Sequence, residues 1–99
     1  MKNSNNEQYI YLLVERTLGK DKTTLEYDIT PLKTLTDVNN TILDTITNTA
    51  KSNRDDIIYV SCILHHYIDP SDYSHIPFGR IEFKSGVIKI YKVLLRKIH

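Results

Sequence analysis

Val87-Ile88-Lys89-Ile90-Tyr91-Lys92-Val93-Leu94-Leu95-Arg96-Lys97-Ile98 is the stretch on which the fold turns. Read at a helical period, Val87, Ile90, Tyr91, Leu94, Leu95 and Ile98 make an apolar stripe, with Lys89, Lys92, Arg96 and Lys97 mostly opposite. Read as a strand, the β-branched Ile88, Ile90 and Val93 suit a pleated surface. The junction before it, Phe83-Lys84-Ser85-Gly86-Val87-Ile88, has the turn chemistry of a hairpin. Residue types and junction together decide for a strand. Its hairpin mate is the alternating run 80–84 (RIEFK).

Upstream, Asp56 to Ile68 (DIIYVSCILHHYI) is the most apolar segment, and its Ile, Val and Tyr predict a central strand. Asp69-Pro70-Ser71-Asp72 is a turn signal, with a loop running on to Pro77. Before that segment, Leu32, Leu35, Val38, Ile42, Ile46 and Ala50 recur in steps of three and four, one face of an amphipathic helix. Thr30-Pro31 predicts its start, a capping hydroxyl followed by a proline with φ already helical; Asp37 after Thr36 is a later alternative. Lys51 lies where a cation favours the C-terminal end of a helix, and Ser52 to Asp55 closes it. The many Thr and Asn give poor intrinsic helicity, so this helix depends on packing against a sheet.

Nearer the N-terminus, Gln8 to Leu18 reads as a strand by its aromatic and β-branched content, and Gly19-Lys20-Asp21-Lys22 turns the chain. Residues 23–29 alternate, placing Leu25, Tyr27 and Ile29 on a buried face and Thr24, Glu26 and Asp28 on the other, which completes a β-hairpin. Residues 1–7 form a polar leader expected to fray. The element order is ββαβββ. The prediction is one α+β domain over residues 1–99, a mainly antiparallel sheet with one amphipathic helix packed on a face.

Composition agrees. Ile numbers 13, Thr 10 and Tyr 7 against one Ala, a bias toward sheet. The 99 residues suffice for one core. No apolar run approaches the ~20 residues that span a bilayer, and Met1 to Gln8 is no secretory signal. The single cysteine, Cys62, excludes an internal disulfide and a Cys-based zinc framework, so a reducing, cytoplasmic setting is expected.

Reactive side chains are densest at Cys62, His65, His66, Asp69, Asp72 and His75. Thiolate, imidazole and carboxylate are ordinary metal ligands, and a metal-dependent hydrolase using His65, His66, Asp69, Asp72 and His75 is one reading. Strand alternation splits the set, placing Cys62 and His66 on one face and His65 on the other. No HExxH, CxxC pair, GxSxG elbow or phosphate-cradling glycine pattern is present. Cys62 lies in the most apolar segment, where burial makes a thiol inert. We therefore expect no enzyme, no catalytic residue, no metal site and no cofactor.

Charge is more informative. Residues 80–99 hold Arg80, Lys84, Lys89, Lys92, Arg96 and Lys97 against Glu82, a net of +5, whereas residues 1–79 carry a net of −4. A basic ribbon with exposed tyrosines could contact phosphates and stack bases, so these six residues are candidate nucleic-acid contacts. The competing explanation is that lysines on a terminal strand guard a sheet edge against aggregation.

The chain length, the Ile/Lys/Thr/Asn/Tyr-rich composition, the single ββαβββ domain and the basic apolar end VIKIYKVLLRKIH together resemble small accessory proteins of archaeal filamentous and rod-shaped viruses. The resemblance covers the whole chain without a specific motif. It implies a virus- or mobile-element-encoded accessory factor acting inside the host cell, with no catalytic residue to carry over. The function expected is non-enzymatic binding of a host or viral macromolecule, a protein partner foremost and nucleic acid second, without membrane insertion. A homodimer is expected through the apolar terminal strand as a sheet edge.

Overall fold

A computed structural model describes residues 8–69 and 76–98. Among them the order is β1 (Gln8–Leu18), β2 (Thr24–Leu32), α1 (Leu35–Ser52), a one-turn 3-10 helix (Arg54–Asp56), β3 (Ile57–Cys62), β4 (Ile76–Phe83) and β5 (Ile88–Ile98). The predicted ββαβββ α+β fold is the one observed. The five strands form one antiparallel sheet in the spatial order β2-β1-β5-β4-β3. The frayed leader expected at 1–7, and residues 70–75 of the predicted turn and loop, lie outside the described residues.

The ambiguous stretch is a strand, and it is the keystone of the sheet. β5 pairs with β1 over its whole length, from Gln8↔Ile98 to Leu18↔Ile88, and with β4 on its other side. The expectation that this strand forms an edge is therefore corrected: its lysines guard no edge, and a dimer cannot form by adding to it. The edges are β2 and β3. The segment predicted as a central strand is also corrected, because only Ile57–Cys62 is β-structure and it lies at the margin, with Ile58, Tyr59 and Val60 exposed. An apolar run measures how much a segment could bury, and β4 shields this one on a single side only.

α1 leaves edge strand β2 and delivers the chain to the opposite edge strand, so it must cross the sheet and cover one face. Val38, Ile42 and Ile46 are buried against it, with Leu35 packed at the margin, as the stripe predicted, whereas Leu32, expected in the stripe, packs there from the end of β2. The start of the helix differs. Pro31 belongs to β2 opposite Leu12, where an edge strand tolerates the missing N–H. The true cap is Thr34, whose hydroxyl accepts from the Asp37 N–H at 3.0 Å. At the other end the Asn53 side-chain amide and backbone N–H both donate to the Thr49 carbonyl (2.9 and 3.1 Å).

Beneath α1 lie Leu13, Phe78, Ile81, Tyr91, Val93 and Leu95, with Tyr9 and Tyr11 packed against them. Gly79 permits this approach, since a Cβ there would run into Ile46 Cδ1. The sharp β4–β5 turn uses Gly86 at φ 94°.

Candidate functional site

Period-two alternation sends odd-numbered residues of β1 and β5 toward α1 and even-numbered ones to the helix-free face. Ile10, Leu12, Val14, Arg16 and Leu18 therefore share that face with Ile88, Ile90, Lys92, Leu94, Arg96 and Ile98. Val14 shows the separation: it is buried at 4% exposure yet stands apart from the core cluster under the helix. The register adds Tyr27 and Ile29 from β2, and Arg80 and Glu82 from β4. One row runs across all five strands as Tyr27, Arg16, Ile90, Arg80 and Ser61; the next holds Ile29, Val14, Lys92 and Pro77.

β2 brings a further correction. Leu25, Tyr27 and Ile29, expected to be half-buried, are 59%, 54% and 48% exposed. For Tyr27 and Ile29 the cause is that no helix among the described residues lies over the face they point to.

This face is apolar in the middle and cationic around it. Arg16, Arg80, Lys92 and Arg96 stand there against one acid among the described paired strand residues, Glu82, while Glu15, Glu26 and Asp28 alternate to the α1 side. The Arg16 Nε–H donates to the Thr24 hydroxyl (3.0 Å), and Arg80 pairs with Glu82 at 2.7 Å. Lys92 and Arg96 have no carboxylate within 4.0 Å among the described residues. Val14, Arg16, Tyr27, Ile90 and Lys92 line a pocket of about 100 Å³.

Of the six basic residues singled out in the sequence, the fold brings Arg80, Lys92 and Arg96 together on this face. Lys89 and Lys97 alternate to the α1 side, and Lys84 sits in the β4–β5 turn. The Lys89 ammonium is turned inward, donating to the Thr17 hydroxyl (3.2 Å) beside the Glu15 carboxylate (3.9 Å). Sequence reasoning missed Arg16, which β1 contributes from the acidic part of the chain. Its signal was the even-numbered series in YIYLLVERTL, Ile10, Leu12, Val14, Arg16 and Leu18, a second apolar series interrupted by one cation.

The metal-ligand candidates among the described residues do not converge. His65 is a structural residue: its backbone is clasped by Asn39 of α1, with the amide donating to the His65 carbonyl (2.7 Å) and the His65 N–H donating to Asn39 Oδ1 (3.2 Å). Its Nε2–H donates to the Pro77 carbonyl at 2.9 Å, and its ring lies 4.4 Å from that of Phe78. His66 and Asp69 are exposed in the segment after β3, and Asp72 and His75 lie outside the described residues. No group of three metal-ligating side chains forms among the described residues. Cys62 is exposed rather than buried, because β3 is an edge; partial desolvation still pushes its thiol pKa up and keeps it protonated at neutral pH.

An open cleft of about 550 Å³ lies between the end of α1 and the two hairpin turns, with Glu26, Asp56, Asn53 and Lys89 in its walls. No helix among the described residues is long and apolar enough to cross a membrane. No protein-family profile, curated protein or solved structure matches this chain.

Proposed function

We propose that this protein is a non-enzymatic binding module that holds an anionic macromolecule on its helix-free face. One observation carries the reading: the helix-free face sets half-buried aliphatic residues of β1 and β5 among the cations Arg16, Lys92 and Arg96, with Tyr27, Ile29 and Ile98 exposed at its margins. An apolar sheet face over which the described chain lays no covering element marks an interaction site, and the fixed excess of cations selects the sign of the partner. Composition and the lone cysteine support a virus- or mobile-element-encoded factor that works in the host cytoplasm. Affinity capture from the native cell, identifying both proteins and nucleic acids, tests the binding. The partner is expected to be retained by the wild-type chain and lost by the Leu12→Asp/Leu94→Asp variant. An unchanged set of captured molecules would overturn the reading.

Self-association is part of the proposal, and β3 supports it. This short edge strand exposes Ile58, Tyr59 and Val60, and Ile63 and Leu64 continue the apolar margin. Antiparallel pairing of two β3 edges about a twofold axis would satisfy both. Light scattering at high micromolar concentration should give twice the chain mass of 11.5 kDa; the mass of a single chain would count against the dimer.

A further inference from the structure

We propose that the occupant of the helix-free face is an acidic amphipathic helix of a protein partner, an inference that rests on the binding role just assigned. The first ground is that β1 and β5 are written for burial on both sides. Strands covered on two faces carry apolar residues at odd and even positions alike. Here Tyr11, Leu13, Val93 and Leu95 serve the covered side, while Leu12, Val14, Ile90 and Leu94 serve a side over which the described chain places no helix.

The second ground is the kind of surface. A sheet that binds single-stranded nucleic acid needs flat aromatic rings on its middle strands, where bases stack. The middle strands of this sheet turn their tyrosines, Tyr9, Tyr11 and Tyr91, toward α1. On the helix-free side they show branched aliphatic chains, which interdigitate with the apolar stripe of a helix and offer a base nothing to stack on. Tyr27 and Tyr59 stand only on the edge strands.

Charge completes the argument. Arg16 and Arg80 flank Ile90 in one row, about 10 Å apart across two strand spacings. Lys92 stands one row along, and Arg96 lies farther down β5. A second copy docked face to face would bring like charges together, and the exposed side of α1, though it carries Asp37 and Asp44, has the lone apolar residue Leu43 and so no stripe to lay on this face. A helix with Glu or Asp on both flanks of an apolar stripe pairs with Arg16, Lys92 and Arg96, while Arg80 is already held by Glu82. Its length also fits, because strands of 11 residues extend about 36 Å and a helix of about 20 residues extends about 30 Å. The pocket between Val14, Ile90 and Tyr27, with Arg16 and Lys92 at its walls, would seat one apolar anchor of that helix.

The test is fluorescence anisotropy of the full chain with a panel of peptides of about 20 residues, each with a Leu stripe at helical spacing flanked by Glu. Comparators are the Lys-flanked counterparts, shuffled peptides of the same composition, an oligothymidine of about 20 nucleotides, and vesicles of anionic phospholipid. The acidic stripe peptides should bind saturably, gain helical circular dichroism, and bind about tenfold or more tightly than the shuffled ones. Amide shifts on binding should centre on Leu12, Val14, Ile90 and Lys92. Arg16→Glu/Lys92→Glu should weaken the acidic peptides by about tenfold and improve the Lys-flanked ones. Arg96→Glu, at an exposed site, gives the same test if the double variant melts early. Equal binding of stripe and shuffled peptides, or no binding of either, would overturn the helix. Tighter binding of the oligonucleotide or the vesicle through this face would overturn the helix but leave the anionic-partner reading standing. If none of the probes bound and the capture experiment were also indifferent to the face, both would fall.

Discussion

Leu13 and Val14 are adjacent in β1 and almost equally inaccessible, at 6% and 4% exposure, yet they serve different ends. Leu13 lies under α1 in the core with Ile42, Phe78 and Val93. Val14 lies on the opposite face, shielded by flanking side chains on the open sheet surface. One face of the sheet is finished: its apolar side chains meet a helix and its Lys89 is turned inward. The other has the same aliphatic character along the same strands, with cations in place of a covering layer. Two apolar faces with unequal cover separate what stabilises this protein from what it presents to others.

The comparison breaks most readily at Ile42, which is fully inaccessible beneath the helix stripe. Ile42→Ala should cost about 2–5 kcal/mol through lost burial and the cavity left behind. That is a large share of the roughly 5–15 kcal/mol by which domains of this kind are stable. A denaturant melt measures it. A cost as small as that of a surface change would mean that α1 does not hold the covered face, and the contrast between the faces would dissolve.

Tyr91 sharpens the picture of the covered face. It is 1% exposed, and its hydroxyl finds no hydrogen-bond partner among the described residues, although Glu15 and Thr49 are neighbours. Burial first, and the Glu15 carboxylate second, push its pKa well above the ordinary value near 10. The folded state thus keeps this proton where the unfolded chain has lost it. The stabilising difference is intact below about pH 10 and is lost as pH rises toward the folded value. Tyr91→Phe should leave stability at neutral pH unchanged or raised by up to about 1 kcal/mol, since an unsatisfied buried hydroxyl is removed. Its decline between pH 9 and 11 should be shallower than that of the wild type. Urea melts across that range decide it, and a steep loss of stability at neutral pH would show that the hydroxyl is bonded after all.

How far the sequence foretells these faces depends on which physical quantity is being read. Element types are local: the Val38–Ile42–Ile46 stripe, the Gly19–Lys22 turn and the β-branched residues of 88–98 each carry their own signal, and the order ββαβββ follows from them. Position within the sheet is not local. Nothing in DIIYVSCILHHYI distinguishes an edge from a centre, because its side chains describe burial capacity rather than the number of neighbouring strands. The same blindness made VIKIYKVLLRKI a terminal ribbon in sequence and the middle strand in space. The candidate site was half legible: Arg80, Lys92 and Arg96 were in the basic set, but charge counted along the chain mixes both faces of a strand. Only the register separates Lys89 from Lys92 and brings in Arg16.

The smallest effect on stability, and the most telling for the comparison, is expected at Ile29. It lies on edge strand β2 beside Val14 and is 48% exposed. Ile29→Thr keeps the β-branch that suits a strand and removes little buried area, so the change in unfolding free energy should stay within about 0.5 kcal/mol. Its effect should appear in binding instead, because a hydroxyl now meets the apolar side of whatever covers this face. A stability loss approaching that of Ile42→Ala would show that the helix-free face is part of the folding core, and its apolar residues would then need no partner to explain them. An unchanged melt together with weakened capture of the partner would place folding on one side of the sheet and recognition on the other.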